Sequence, residues 1–485
     1  MPQTSNKMKN NNIKLIKAKL SKYVKVFYFG NTVCFFNCLS LDKCYFNKST
    51  NSNDKKILNL LEKNNFLSDF DLRAKKFIDS YRKKFKPDFR QLYLVISEAC
   101  NFNCKYCRQV THNSRGKKMM TQEETKQIIN DFFKQAKNKP QGVVFYGGEP
   151  LLNKDVLLET IKYIRQKERE LKFKKPTDLT IITNGTNIDN QSARLIKKHN
   201  VYIIVSIDGA KKEHDKLRVY KNNHGTFKDV LRGYKIYKSA GCKIGISCTI
   251  GSHNYHSLPQ VFNYFAKQLK PVNVGINLPH DNYDNPLNVN LDFKLFCQNF
   301  LKIFEKSNKN NLYIEHIMRK LNLLFKQEIK VNDCPACGGR LVVLPGKKLG
   351  ICEGAIGIDN FFFRDIKKTS QMSSAWYLTS PLFDKKCKPC VALGVCGGGC
   401  PFDGYLQSKK IGCRDARRCL FIKNIIEWGL YNFYLINKNK IKNKKIFIPS
   451  IKNQYAFLKE IKGTKQKLPL RSSAQFSKIK NKFKI

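Results

Sequence analysis

Short apolar runs at Leu92–Ile96, Val143–Tyr146, Leu179–Ile182, Val201–Val205, Ile244–Ile250 and Val272–Leu278 recur through residues 89–280, separated by Lys-rich stretches with helical spacing. Runs of this length bounded by turn formers read as buried strands. Their alternation with helices predicts a parallel, curled sheet with helices outside. Thr121-Gln122-Glu123-Glu124 has the form of a capping box, and Ile128, Ile129, Phe132 and Phe133 continue it as one helical face. Upstream, Tyr23–Phe29 and Thr32–Asn37 flank Gly30-Asn31 in the pattern of a hairpin with a two-residue turn. Asp54 is placed to cap a helix that carries Ile57, Leu58, Leu60 and Leu61.

A hairpin followed by short helices makes residues 1–88 a small winged-helix-like unit. Residues 281–330 open Asn/Asp-rich and then take helical spacing at Leu295, Phe296, Phe300, Leu301 and Phe304, which reads as a helical connector. Residues 331–430 are rich in cysteine and glycine, and residues 431–485 form a basic tail, with Ile441–Lys445 and Lys478–Lys480 read as solvated.

At 485 residues the chain has room for two or three domains. It contains no apolar run long enough to span a membrane, and Met1–Lys14 is polar and basic, so no secretory signal is expected and the cytoplasm is the expected compartment. Eighteen cysteines without an export signal point to metal rather than disulfides. The net charge of +53 suits RNA or another polyanion. The heavy use of Lys, Asn and Ile, all with AT-rich codons, offers a competing explanation, and nucleic acid is not the expected partner.

Cys100, Cys104 and Cys107 are spaced CxxxCxxC directly after the first of these apolar runs. Three thiolates on one tight loop can hold three corners of a [4Fe–4S] cubane and leave the fourth iron open. A zinc knuckle or three buried thiols is the alternative. A second group, Cys334, Cys337, Cys352, Cys387, Cys390, Cys396, Cys400, Cys413 and Cys419, is flanked by Gly338-Gly339 and Gly397-Gly398-Gly399. Its CxxC pairs at 334 and 387 also fit a pair of zinc ribbons. Cys34, Cys38 and Cys44 read as buried thiols.

With Tyr106 just before the third cysteine and Gly147-Gly148-Glu149-Pro150 one strand–helix–strand step later, the chain resembles the radical S-adenosylmethionine (radical SAM) enzymes. The resemblance implies an α/β fold with a partial (β/α)6 barrel. It implies a SAM-binding [4Fe–4S] cluster on Cys100, Cys104 and Cys107, and reductive cleavage of SAM to a 5′-deoxyadenosyl radical that takes hydrogen from a substrate. Tyr106, Gly147, Gly148, Glu149 and Pro150 would then serve the cofactor, with Glu149 at its amino group. Thr183, Asn184, Ser206 and Asp208 would line its ribose and methionyl pocket. His214-Asp215, Arg218 and Gly225 continue a pattern of peptide- and protein-modifying relatives, in which Arg218 is a candidate carboxylate partner and His214 a structural residue.

The run Cx2Cx5Cx3C from Cys387 to Cys400 resembles the SPASM domain, which carries two auxiliary [4Fe–4S] clusters. That likeness implies one cluster on Cys334, Cys337, Cys352 and Cys400. The other falls on Cys387, Cys390, Cys396 and Cys419, with Cys419 preferred to Cys413 for its distance from Cys400 and the helical run after it. Two spacings depart from the pattern: Gly346 precedes Cys352 by one residue more than usual, and Cys334 and Cys337 stand closer together than in some relatives. Glu353 occupies the place of an Asp proposed to take a substrate proton in sulfatase-maturing relatives, and a solvated Glu is the alternative.

The resemblance as a whole implies an oxidoreductase that matures a ribosomally made precursor peptide, for example by thioether cross-linking, with electrons from a donor such as flavodoxin or ferredoxin. Its N-terminal unit resembles leader-peptide recognition domains, which add the peptide as a strand. Oxidation of a sulfatase Cys or Ser to formylglycine, and RNA modification, are the alternatives.

Overall fold

The computed structural model describes residues 19–47, 55–83, 85–111, 115–280, 292–309, 312–444, 446–462 and 478–480. Its first strands, β1 (Val24–Phe29) and β2 (Thr32–Asn37), pair about Gly30-Asn31 with Phe29 opposite Thr32, as the turn residues require. A strand that the sequence did not announce, β3 (Lys43–Asn47), pairs with β2. Because both faces of β2 are covered, it is buried along its whole length. Cys34 and Phe36 enter the main core, whereas Val33 and Phe35 enter a second core with Ile57 and Leu61 of helix α1 (Lys55–Lys63). Helix α2 (Phe70–Lys83) follows. The cap expected of Asp54 lies outside the described residues. Cys34, Cys38 and Cys44 are buried, and burial pushes the Cys34 and Cys38 thiols up to about 12.

The central sheet then runs in sequence order. β4 (Gln91–Ser97), β5 (Gly142–Gly147), β6 (Asp178–Thr183), β7 (Tyr202–Ser206), β8 (Lys243–Thr249) and β9 (Asn273–Asn277) are parallel neighbours, and all of them match the apolar runs. Helices α3 (Gln122–Gln135), α4 (Lys154–Glu170), α5 (Asn190–Lys198), α6 (Phe227–Ser239) and α7 (Leu258–Tyr264) connect them. Thr121 caps α3 by accepting the Glu124 N–H at 3.1 Å. Glu124 does not close the box; its carboxylate takes the N–H of Gly346 at 2.6 Å.

The connector contains α8 (Phe293–Lys309) and α9 (Glu315–Lys326), and its 281–291 stretch lies outside the described residues. After the short strand β10 (Glu328–Lys330), the cysteine-rich region extends the central sheet: β11 (Arg340–Leu344) pairs parallel to β4, and β12 (Lys348–Gly350) returns antiparallel to it. Helices α10 (Ile366–Tyr377), α11 (Pro401–Ser408) and α12 (Ala416–Lys442) complete it. Among the described residues no helix is long and apolar enough to cross a membrane.

The C-terminal segment corrects two expectations. Helix α12 runs across residue 430, burying Phe421, Ile422, Ile425, Ile426, Leu430 and Phe433 along one face. Beyond it, residues 446–462 are not a solvated tail. β13 (Ile446–Phe447) adds to β3 as the fourth strand of the N-terminal sheet, and α13 (Ile451–Lys462) buries Phe457 and Leu458. The N-terminal unit is therefore not built by residues 1–88 alone, and of the winged-helix-like expectation the structure keeps the hairpin and the helices. β14 (Lys478–Lys480) pairs with β10; residues 463–477 and 481–485 lie outside the described residues.

Phe433 joins these layers, stacking on Tyr45 at 5.9 Å and Phe325 at 5.4 Å and meeting Phe457 edge-on at 5.4 Å. Phe433→Ala is expected to destabilise the protein by about 3–5 kcal/mol in urea unfolding. A loss below about 1 kcal/mol would show that residues 446–462 do not close the core.

Candidate active site

A cavity of about 660 Å³ runs along the central strands, from Gln91, Gly142 and Lys243 where they begin to Gly147, Thr183, Ser206, Thr249 and Asn277 at their C-terminal ends. Cys100, Cys104 and Cys107 share one wall of it. Their loop has little secondary structure of its own and is held from both sides. On one side Asn103 and Lys105 donate to the carbonyls of Val219 and Leu217 at 2.7 and 2.9 Å. On the other, the N–H groups of Gly148 and Glu149 reach the carbonyls of Ser97 and Ala99 at 2.9 and 2.8 Å. A Cβ on Gly147 would stand 2.0 Å from the Ser97 oxygen, and one on Gly148 2.5 Å from that of Ala99. The glycines thus admit the backbone leading into Cys100, a role distinct from the approach to a ligand expected of them.

Glu149 lines the cavity, yet its carboxylate is engaged within the protein. Oε1 accepts from Leu151 N and Thr183 Oγ1 at 3.0 and 2.7 Å, and Oε2 from Asn184 N at 2.7 Å. Burial pushes its pKa up to about 7 against these hydrogen bonds. Asn184 also reaches back to Asn101 in the cysteine loop, at 2.8 Å. Pro150 and Asp208 are not among the residues lining the cavity. Asp208, expected at the ribose, is fully buried behind the wall. It accepts from Arg218 through both oxygens at 2.8 and 3.2 Å, from Tyr106 Oη at 2.7 Å and from Thr249 N at 2.8 Å. Burial opposes its charge, but Arg218 and two histidines outweigh it and hold the carboxyl below the usual range. Arg218 has found its carboxylate inside the protein, and its guanidinium lies 5.3 Å from the Tyr106 ring centroid.

The donor set fits an iron–sulfur cluster. All eighteen thiols are free of disulfides, and sulfur is the ligand such clusters take. Burial raises the Cys104 thiol to about 11 while Arg218 and Arg115 act against it. Arg115, which the sequence did not single out, lines the cavity and donates to Phe102 O at 2.6 Å.

The cysteine-rich region sorts into two groups. Cys400 is raised by burial and by nearby Asp403, Cys334 and Cys352, and Cys337 by burial and by Cys334. In the other group Cys419 feels Cys390, and Cys396 feels Cys419, while Cys387 pairs with Cys390 across a turn at 2.9 Å, N to O. Glu353 forms an ion pair with buried Arg340, which sits over Tyr93 at 4.4 Å; the carboxylate lines the cavity but is not free. His280 also lines the cavity and went unnoticed as a lone histidine at the end of the barrel sequence. Its Nδ1 lies 2.6 Å from Oδ1 of fully buried Asp403.

Residues 94–265 match the model of the Radical SAM superfamily. The radical SAM cyclopropyl synthase TigE of Paramaledivibacter caminithermalis is 25% identical over 391 residues, 72% of this chain and 78% of its own. A cysteine-type anaerobic sulfatase-maturating enzyme of Clostridium novyi is 26% identical over 232 residues, 45% of this chain and 60% of its own. The solved structure of anSMEcpe with bound AdoMet shares the fold, with a TM-score of 0.58 at 20% identity over 72% of this chain and 99% of that one.

His214 is the structural residue expected of it. It is fully buried, with Nδ1 3.4 Å from Asp208 N and Nε2 3.1 Å from Thr226 Oγ1. Burial, then the Arg218 charge, lowers its pKa from 6.5 to about 4. A base with a folded pKa below its unfolded one stabilises fully above the unfolded value and loses that contribution as pH falls through the folded one. His214→Gln should therefore flatten the fall of the urea midpoint between pH 6.5 and 4, a difference on the order of 3 kcal/mol; parallel pH curves for the two proteins would refute the assignment.

Proposed function

We propose, on the premise that this chain carries a radical SAM domain and is an enzyme, that it cleaves SAM reductively and uses the resulting 5′-deoxyadenosyl radical to modify a ribosomally made peptide. Thioether cross-linking is the specific reaction favoured. The observation that carries this reading is that Cys100, Cys104 and Cys107, all three, line the cavity that the central strands enclose. When bound there, a [4Fe–4S] cluster supplies the electron that opens SAM.

This chain's own residues then bind and orient. Thr183, Asn184 and Ser206 offer polar groups to the cofactor, and Arg115 and Arg218 favour the charged thiolates. His280, oriented by Asp403, presents Nε2 as a proton acceptor at the cavity, a place better suited than that of Glu353, which Arg340 holds. Cys334, Cys337, Cys352 and Cys400, and Cys387, Cys390, Cys396 and Cys419, would hold two auxiliary [4Fe–4S] clusters that take up the electron left by substrate oxidation. β1 is an outer strand of its sheet, so an extended leader segment can add beside it. A flavodoxin or ferredoxin would supply electrons.

Formylglycine formation in a sulfatase is the second reading, supported by the likeness to sulfatase-maturating enzymes. A short Cys-rich reading frame beside this gene supports the first, and a sulfatase frame the second.

Reconstituted protein, incubated anaerobically with SAM and dithionite, should release 5′-deoxyadenosine, and Cys104→Ala should abolish the release; no product from fully loaded protein would overturn the proposal. His280→Gln should leave that release intact and slow peptide modification by roughly 100-fold. Equal slowing of both would deny His280 a part in substrate chemistry.

A further inference from the structure

The two candidate auxiliary ligand sets meet at one buried junction. Asp333, just before Cys334, donates its N–H at 2.7 Å to the carbonyl of Gly397, just after Cys396. Gly397 adopts φ +66°, and a Cβ there would lie 2.5 Å from the Asp333 nitrogen, so glycine is required for this approach. Lys320, on α9, stands across the same junction. Its Nζ lies 3.0 Å from Asp333 Oδ1 and donates to the carbonyls of Val395 and Cys396 at 3.1 and 2.8 Å. Arg319 reaches Asp333 Oδ2 at 3.0 Å, so two cations share one carboxylate and a net positive charge remains.

An ammonium in this setting is destabilising unless every donor is used. The Lys320 side chain is 4% exposed, and each of its recorded partners belongs to one of the two cysteine loops. A shape-filling role for the helix would be met by Met or Leu. What only a cation offers here is a tie between two loops that both present acceptor oxygens, carbonyls on one and a carboxylate on the other, and a positive charge one peptide away from a cluster ligand. Charge and hydrogen bonding beside a cluster set its potential, and a cation favours the reduced, more negative form.

We propose that Lys320 is a positioning residue that ties the two auxiliary-cluster loops together and, through its charge, raises the reduction potential of the cluster on Cys387, Cys390, Cys396 and Cys419. The inference rests on the auxiliary-cluster reading above. It assigns Lys320 no contact with substrate or SAM.

The test uses the full-length reconstituted enzyme, with iron content and EPR-monitored redox titration as readouts. The cluster that responds to added SAM serves as an internal reference. Wild type should hold about 12 irons per chain, on the basis of three cubanes. Lys320→Met should shift an auxiliary midpoint to more negative potential and leave the SAM-responsive one unmoved, and Lys320→Arg should restore it. Selective loss of auxiliary iron in Lys320→Met, rescued by Lys320→Arg, also supports the tie. Asp333→Asn, which removes the opposing charge, should move the midpoint the other way, and it decides the matter if Lys320→Met does not fold. Unchanged midpoints at full iron in the variant that folds would overturn the inference alone; about 4 irons per chain in wild type would overturn the auxiliary-cluster reading and the inference with it.

Discussion

The close approach of the glycine turn after β5 to the end of β4 is the constraint on which the site depends. A loop of eight residues from Cys100 to Cys107, with little regular structure, has no internal reason to present three thiols to one cavity. Ordering it costs about 1–2 kcal/mol of backbone entropy per residue, so the order has to come from outside. The Ser97 and Ala99 carbonyls bind the turn at Gly148 and Glu149, while Leu217 and Val219 bind the loop itself. Beneath the second contact lies the Asp208–Arg218 pair, buried and bidentate, with the Tyr106 hydroxyl on the same carboxylate. Side chains that a motif reading would aim at a ligand are thus partly used to fix the backbone that carries the ligands.

Burial sets the second demand. A thiolate that binds metal must be charged, and burial raises thiol pKa. The fold answers by placing a cation near each cysteine group. Arg115 and Arg218 serve the first loop, Arg340 serves Cys334, Cys337 and Cys352, and Lys320 and Arg414 serve Cys396 and Cys387. Part of the positive charge of this chain is therefore local, set against buried thiols.

The barrel strands and the cysteine spacing were legible in the sequence because each is a short-range pattern: apolar runs at Leu92–Ile96 or Val201–Val205 need no partner to be recognised, and neither does CxxxCxxC. What was not legible depends on distant residues. β13 is two residues long and acquires meaning only beside β3, and Phe457 and Leu458 were hidden among lysines that the surface of α13 tolerates. Glu124 fits a capping box, but Gly346 claims its carboxylate from the far cysteine-rich region. Asp208 and Arg218 could be named as site residues, but which carboxylate the arginine would meet is a tertiary fact. His280 carried no motif at all; only the arrival of Asp403 makes it a pair.

Helix α9 shows why the N-terminal unit and the cysteine-rich region behave as one structure. Near its middle Lys320 ties the cysteine loops. One turn further on, Lys43 from β3 donates to the carbonyl of Leu324 at 3.1 Å and to Gln454 Oε1 on α13 at 2.7 Å. Helix α12 lies so close along it that a Cβ on Gly429 would meet Leu321 at 2.8 Å. Two buried lysine contacts one turn apart, one to the cysteine loops and one to the N-terminal sheet, thus fasten both regions to the same stretch of α9.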